Sequence, residues 1–167
     1  MTQATTDSRL ACEVLAEDIK ALGIEQVFGL MSDDTAVFAV ALDSIGVRFY
    51  GARHENNAIA MAEGYATATG KLTVALIGRG PATANGLHAA VLASRTGAPL
   101  LIIYGDQPVA SGAVNTLGPD YKGFDGAGVL RAAGLRTFVA TSGEAARATL
   151  ADAVAAARQG GGVALLL

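Results

Sequence analysis

The sequence predicts one α/β domain, a three-layer sandwich built on a parallel sheet of about six strands. Short apolar runs such as "LTVALIG", "PLLIIYG" and "VALLL" alternate with stretches of helical period along the whole chain. These runs are apolar at consecutive positions rather than at every second one, so helices must cover both faces of the sheet they form. At 167 residues, with 51% hydrophobic and 16% charged side chains, the chain supports a single core, and residues 1–167 read as one domain.

Each element has a local reason. Asp7 or Ser8 caps a first helix that runs to Leu22 and stops at Gly23. "QVFG" is a short strand, "DDTAVFAVALDS" a helix with Asp33 and Asp34 as cap and first-turn charge, and "VRFYG" a second strand. A helix from Glu55 to Thr69 follows and ends at Gly70. "LTVALIG" is the third strand and "PLLIIYG" the fourth. Between them "PATANGLHAAVLASRTG" is a helix with Pro81 in its first turn, where a missing N–H does no harm. An irregular passage from Asp106 to about Gly126 precedes a short helix, the strand "LRTFVA", an alanine-rich helix from Ser142 to Gln159 and the strand "VALLL". The chain stops inside that apolar strand, which reads as a piece of a longer protein.

Composition narrows the partners. A net charge of −3 without any run of Lys or Arg leaves no electrostatic footprint for nucleic acid or an anionic membrane. The N-terminal "MTQATTDS" lacks the apolar centre of a signal peptide, and no apolar run approaches the roughly 18 residues of a membrane span. The single cysteine, Cys12, has the flanks of a buried helix position and suits a reducing, cytoplasmic setting. The apolar excess points to small molecules and other protein chains, with a homodimer or tetramer expected.

Ligands of parallel sheets bind beyond the carboxyl ends of the strands, and the right-handed crossover puts the loops "GLMSDDT", "GARHENN", "GRGPATAN" and "GDQPV" on that edge. In "GARHENNAIAMAEGYATATG", Glu55 falls on the helical stripe of Ala58, Ile59, Ala62 and Ala66, whereas Glu63 falls beside Asn56 and Thr67 and reads as solvated. The helix macrodipole favours an acid in a first turn without any further role. An acid kept from water by alanines and an isoleucine can also hold or share a proton, which makes Glu55 a proton-relay candidate.

Other motifs carry less. "GRGPATAN" follows a strand and opens a helix, so it mimics a dinucleotide fingerprint with Asp106 as ribose ligand. Pro81 lacks the N–H and Ala82 carries a Cβ where a phosphate needs close approach, and both argue against that reading. His54 and His88 read as hydrogen-bonded or structural histidines, and no metal-ligand cluster stands out.

The ordered set "VFG", "RHENNAIAMAEGYATATGK", "GRGPATAN" and "PLLIIYGDQP" resembles the pyrimidine-binding domain of thiamine diphosphate enzymes, in the branch of acetolactate synthases and 2-oxo acid decarboxylases. The resemblance covers nearly the whole chain. It implies that Glu55 is catalytic, hydrogen-bonding N1′ of the cofactor's aminopyrimidine and favouring the tautomer that activates the thiazolium. It also implies that Gly80, Pro81 and Asn85 bind the cofactor and that Ser32, His54, Arg79 and Lys122 lie in the substrate region. The family often has serine where Arg79 stands, a second glycine at Ala82, Pro-Gly near Ser32, and Phe-Gln-Glu near Tyr121, Lys122 and Gly123. The family's Gly-Asp-Gly signature, which holds the diphosphate through Mg2+, is absent here. The resemblance therefore implies an enzyme module for a 2-oxo acid, inactive without a diphosphate-binding domain from the same or another subunit. The alternative is a non-catalytic, dimerising α/β domain of the same fold.

Overall fold

The computed structural model describes residues 9–106 and 122–167. Asp7, Ser8 and Tyr121, together with most of the passage after Asp106, lie outside them. The elements are α1 (Ala11–Ala21), β1 (Gln26–Gly29), α2 (Ala36–Ser44), β2 (Arg48–Gly51), α3 (Glu55–Thr69), β3 (Thr73–Ile77), α4 (Pro81–Thr96), β4 (Leu100–Tyr104), α5 (Gly126–Ala132), β5 (Arg136–Val139), α6 (Gly143–Arg158) and β6 (Val163–Leu166). The six strands form one sheet in the order β2-β1-β3-β4-β6-β5, with parallel pairing throughout.

The pleat sends successive side chains to opposite faces. Val27, Val74, Leu76, Leu101 and Val163 pack under α1, α2 and α6, while Phe28, Ala75, Ile77, Ile102 and Ala164 pack under α3, α4 and α5. β3, β4 and β6 are buried at every position, as consecutive apolar residues require. β2 and β5 depart from the fully apolar expectation, because they are the sheet's edges: Arg48 and Arg136 are exposed there.

Two element starts differ from the sequence reading. The described part of α1 begins at Ala11 with Leu10 at its N-cap, where the Leu10 N–H donates to Glu13 Oε2 at 3.0 Å. α2 begins at Ala36 rather than Asp33, because residues 32–35 form a turn in which the Thr35 and Ala36 N–H groups both donate to the Ser32 carbonyl. Glu63 is also less solvated than expected. It accepts the Thr67 and Thr96 hydroxyls, each at 3.0 Å, and so ties α3 to the end of α4.

The order of the strands creates the crevice. From β1 the chain turns outward to β2, then crosses back to place β3 on the other side of β1. The loops leaving β1 and β3 therefore depart in opposite directions from neighbouring strands, the situation in which open α/β sheets leave room for a ligand. Among the described residues no helix is long and apolar enough to cross a membrane.

Candidate functional site

Glu55 opens α3 at this crevice edge and is 9% exposed, on the same buried stripe as Ala58, Ile59, Ala62 and Ala66. His54 provides the N-cap: its Nδ1 accepts the Asn56 N–H at 3.2 Å. Asn85, in the second turn of α4, donates from its side-chain amide to Glu55 Oε2 at 3.2 Å. Gly86 makes this approach possible. A Cβ there would come within 2.7 Å of Ile59 Cδ1 and 3.6 Å of the Glu55 Cβ.

A second group forms around Asp34. Its Oδ2 accepts the Arg79 backbone N–H at 2.6 Å, and its Oδ1 accepts the Lys122 ammonium and the Ser32 hydroxyl, each at 3.0 Å. Lys122 also reaches Asp33. The Asp34 side chain is 16% exposed against 76% for Asp33, so Asp34 sits between the loops and Asp33 faces solvent. Two glycines leave the space for this clasp. A Cβ at Gly105 would lie 2.5 Å from Asp34 Oδ2, and one at Gly78 would lie 2.6 Å from Ser32 Oγ. Asp33 and Asp34 are thus not the cap and first-turn charge of α2 that sequence reasoning assigns. Thr35 is the N-cap, and the acids join the loops after β1 and β3 to the chain before α5.

Charge follows from this geometry. Burial, the largest single influence on Asp34, opposes ionisation. The Lys122 ammonium, the Arg79 N–H and the hydrogen bonds within the turn outweigh it and lower the carboxyl from 3.8 to about 2. Asp33 first, and then Asp34, hold the Lys122 ammonium above its ordinary value against a smaller burial effect. A carboxyl whose folded pKa is depressed stabilises the fold above its unfolded value and loses that contribution as pH falls through the folded one. Acidifying the chain from about pH 5 to pH 2 is therefore expected to open this clasp, and Asp34→Asn should flatten the fall of melting temperature over that window. Parallel melting curves for the two proteins would show that the clasp adds nothing to acid sensitivity.

Gly80 caps α4 with φ +66° and ψ −125°, and the Lys122 carbonyl packs directly against it. Pro81 occupies the first helical position, and the Thr83 N–H already donates to the Gly80 carbonyl at 2.9 Å. The Lys122 carbonyl crowds the glycine that a phosphate would need to approach, which argues against the nucleotide reading of "GRGPATAN". Beneath this edge Tyr104 ends β4 fully buried. Its hydroxyl has no partner among the described residues, and burial pushes its pKa up, so the floor stays uncharged.

The nominated residues thus fall into two sets joined by the first turn of α4. Glu55 meets Asn85; Ser32, Arg79 and Lys122 meet through Asp34, with Lys122 also covering Gly80. His54 is exposed and is used in capping α3. His88 is exposed on α4. Among the described residues no group of three or more His, Cys, Asp or Glu could hold a metal ion. Sequence reasoning missed Asp34 and Asn56, whose partners lie 45 and 33 residues away. The glycines at 78, 86 and 105 were the available signal.

Known proteins are similar to this chain in sequence. The model of the thiamine pyrophosphate enzyme N-terminal TPP-binding domain matches residues 10–124. The acetolactate synthase large subunit of Haemophilus influenzae is 29% identical over 143 residues, 84% of this chain and 24% of its own length. 2-Hydroxyacyl-CoA lyase 2 of Danio rerio is 32% identical over 93 residues, 56% of this chain and 15% of its own. A probable sulfoacetaldehyde acetyltransferase of Rhizobium meliloti is 30% identical over 91 residues, 54% of this chain and 15% of its own. The chain spans about a quarter or less of the length of these relatives. A family match that runs from α1 through both halves of the crevice agrees with the sheet and with the buried acid at its edge, and the chain belongs to the N-terminal TPP-binding domains of thiamine pyrophosphate enzymes.

Proposed function

We propose that this chain is the aminopyrimidine-binding and cofactor-activating module of a thiamine diphosphate-dependent decarboxylase or carboligase acting on a small 2-oxo acid. The observation that carries the reading is Glu55: a carboxyl 9% exposed, at the crevice edge, braced by an amide from the neighbouring helix. The names of the relatives, a synthase, a lyase and an acetyltransferase, support the reaction class.

The residues present fit half of the cofactor. A shielded carboxyl beside a glycine-permitted helix contact suits a flat heteroaromatic ring that presents a nitrogen. The diphosphate is not matched here, because the described residues offer no group of three His, Cys, Asp or Glu for a metal ion and the Lys122 carbonyl crowds Gly80 at the start of α4. A second domain, from the same or another subunit, holds the diphosphate with Mg2+ in this reading. When bound, thiamine diphosphate would supply a carbon nucleophile for the 2-oxo carbonyl and an electron sink for the pair released when the adjacent carbon–carbon bond breaks.

The protein's own residues prepare that chemistry. Glu55 shares a proton with the ring nitrogen placed against it, and Asn85 fixes the orientation of the carboxyl. Gly80 and Pro81 set the course of α4 that carries Asn85, while the Asp34 clasp holds Ser32, Arg79 and Lys122 at the substrate end. His54 sets the first turn of α3. The apolar exposed residues Val37, Val40, Met61 and Leu92 suit burial in a homodimer or tetramer, and the lone Cys12 suits the cytoplasm.

Calorimetry on the isolated chain is expected to show a Kd for thiamine diphosphate weaker than about 1 mM, with or without Mg2+. Adding the diphosphate-binding domain should restore tight binding and 2-oxo acid turnover. Tight, Mg2+-dependent binding to the isolated chain would overturn the division of labour. A complete enzyme that never consumes a 2-oxo acid would overturn the reaction class.

A further inference from the structure

Asn56 follows Glu55 in α3 and makes a hydrogen bond that neither its own helix nor a cap requires. Its side-chain Oδ1 accepts the backbone N–H of Ala89, from the interior of α4, at 2.9 Å. An interior helical N–H is ordinarily directed at the carbonyl four residues earlier, which for Ala89 belongs to Asn85. Asn56 therefore takes hold of the turn of α4 that begins at the residue bracing Glu55.

Three contacts between α3 and α4 fall within one turn of each helix. Asn56 holds Ala89, Asn85 holds Glu55, and Gly86 lies between them against Ile59 and the Glu55 side chain. Asn85 itself is exposed, so its side-chain amide has rotational freedom of its own. Its direction is fixed only if α4 is fixed in rotation and height relative to α3. The Ile59–Gly86 contact and the Glu63–Thr96 hydrogen bond align the two helices coarsely, and the alanines Ala58, Ala62, Ala89 and Ala93 between them leave freedom for small rotations and shifts near Glu55. A directional hydrogen bond to the backbone removes that freedom.

We propose that Asn56 is a positioning residue for Glu55: by gripping Ala89 it sets the register of α4 against α3 and keeps the Asn85 amide on the Glu55 carboxyl. The proposal deepens the thiamine reading and rests on it for its catalytic consequence, but its geometric content stands on the two helices alone.

The geometric arm uses this chain, labelled for NMR. In Asn56→Ala the side-chain amide resonances of Asn85 should move toward the positions they take in Glu55→Ala, and the Ala89 amide should exchange with solvent at least tenfold faster. Asn56→Asp, which keeps an acceptor of the same reach, should restore both signals. If Asn56→Ala fails to fold, Asn56→Ser, too short to reach Ala89, gives the same readout. The kinetic arm uses the complete enzyme, where Asn56→Ala should lower kcat by roughly tenfold to a hundredfold with KM little changed. Unmoved Asn85 resonances in a folded Asn56→Ala or Asn56→Ser protein would overturn the positioning role. Moved resonances with unchanged kcat would overturn its catalytic consequence. Normal turnover of Glu55→Gln would instead remove Glu55 from its catalytic role in the proposed function and leave the geometric result intact.

Discussion

Replacing Glu55 with glutamine is expected to lower kcat of the complete enzyme by about 10²–10⁴-fold, the range for losing a positioned proton-transfer group, while the fold survives. Glutamine has the same shape and can still accept the Asn85 amide through its carbonyl, so the packing against Ile59 and Gly86 is retained. It cannot take up and return a proton. Glutamine keeps the size and shape of the buried side chain, so the melting temperature should change little. Steady-state turnover of a 2-oxo acid and a thermal melt on the same preparation check both halves. Loss of activity with a little-changed melting temperature is the signature of a group kept for chemistry. Turnover near that of the parent protein would remove Glu55 from its assigned role.

Glu55 was legible before any coordinates because its burial follows from local periodicity. A helix that begins at Glu55 and ends at Gly70 can place only one face inward, and Ala58, Ile59, Ala62 and Ala66 mark which. β3, β4 and β6 were legible for a related reason: a run of consecutive apolar residues has no solvent face to offer. The edge character of β2 and β5 was not, since it depends on the order in which strands assemble. Asp34 was misread because two adjacent acids before a helix satisfy a local capping pattern. Their actual partners, Arg79 and Lys122, are brought to them only by the β1–β3 adjacency and by the return of the chain before α5. Asn56 was read merely as a neighbour of Glu63 on the helical wheel, yet its carbonyl is committed to α4. Local pattern therefore identified the acid, and long-range geometry supplied what holds it.

Gly80→Ala is expected to be the most damaging single-methyl change at the site. The residue sits at φ +66° and ψ −125°, where an L side chain is strained by about 1–3 kcal/mol. The added methyl would also press on the Lys122 backbone, whose carbonyl carbon and Cα would lie 3.1 and 3.2 Å away, and a backbone cannot rotate aside as a side-chain tip can. A total near 3 kcal/mol would lower the melting temperature by about 6–12 °C in a domain of this size. Displacing Lys122 would also loosen its pairing with Asp34, so the acid-dependent part of the stability should shrink in the same variant. Gly64→Ala is the matching control. Gly64 lies inside α3 with open space where a Cβ would go, so there the same methyl should add about 0.5–1 kcal/mol of stability by restricting the unfolded chain. Opposite signs at the two glycines would show that the penalty at Gly80 comes from the contact between the α4 N-terminus and Lys122, rather than from any general intolerance of the fold. A Gly80→Ala protein as stable as its parent would mean that this contact is not maintained in solution, and the clasp would lose its place in the site.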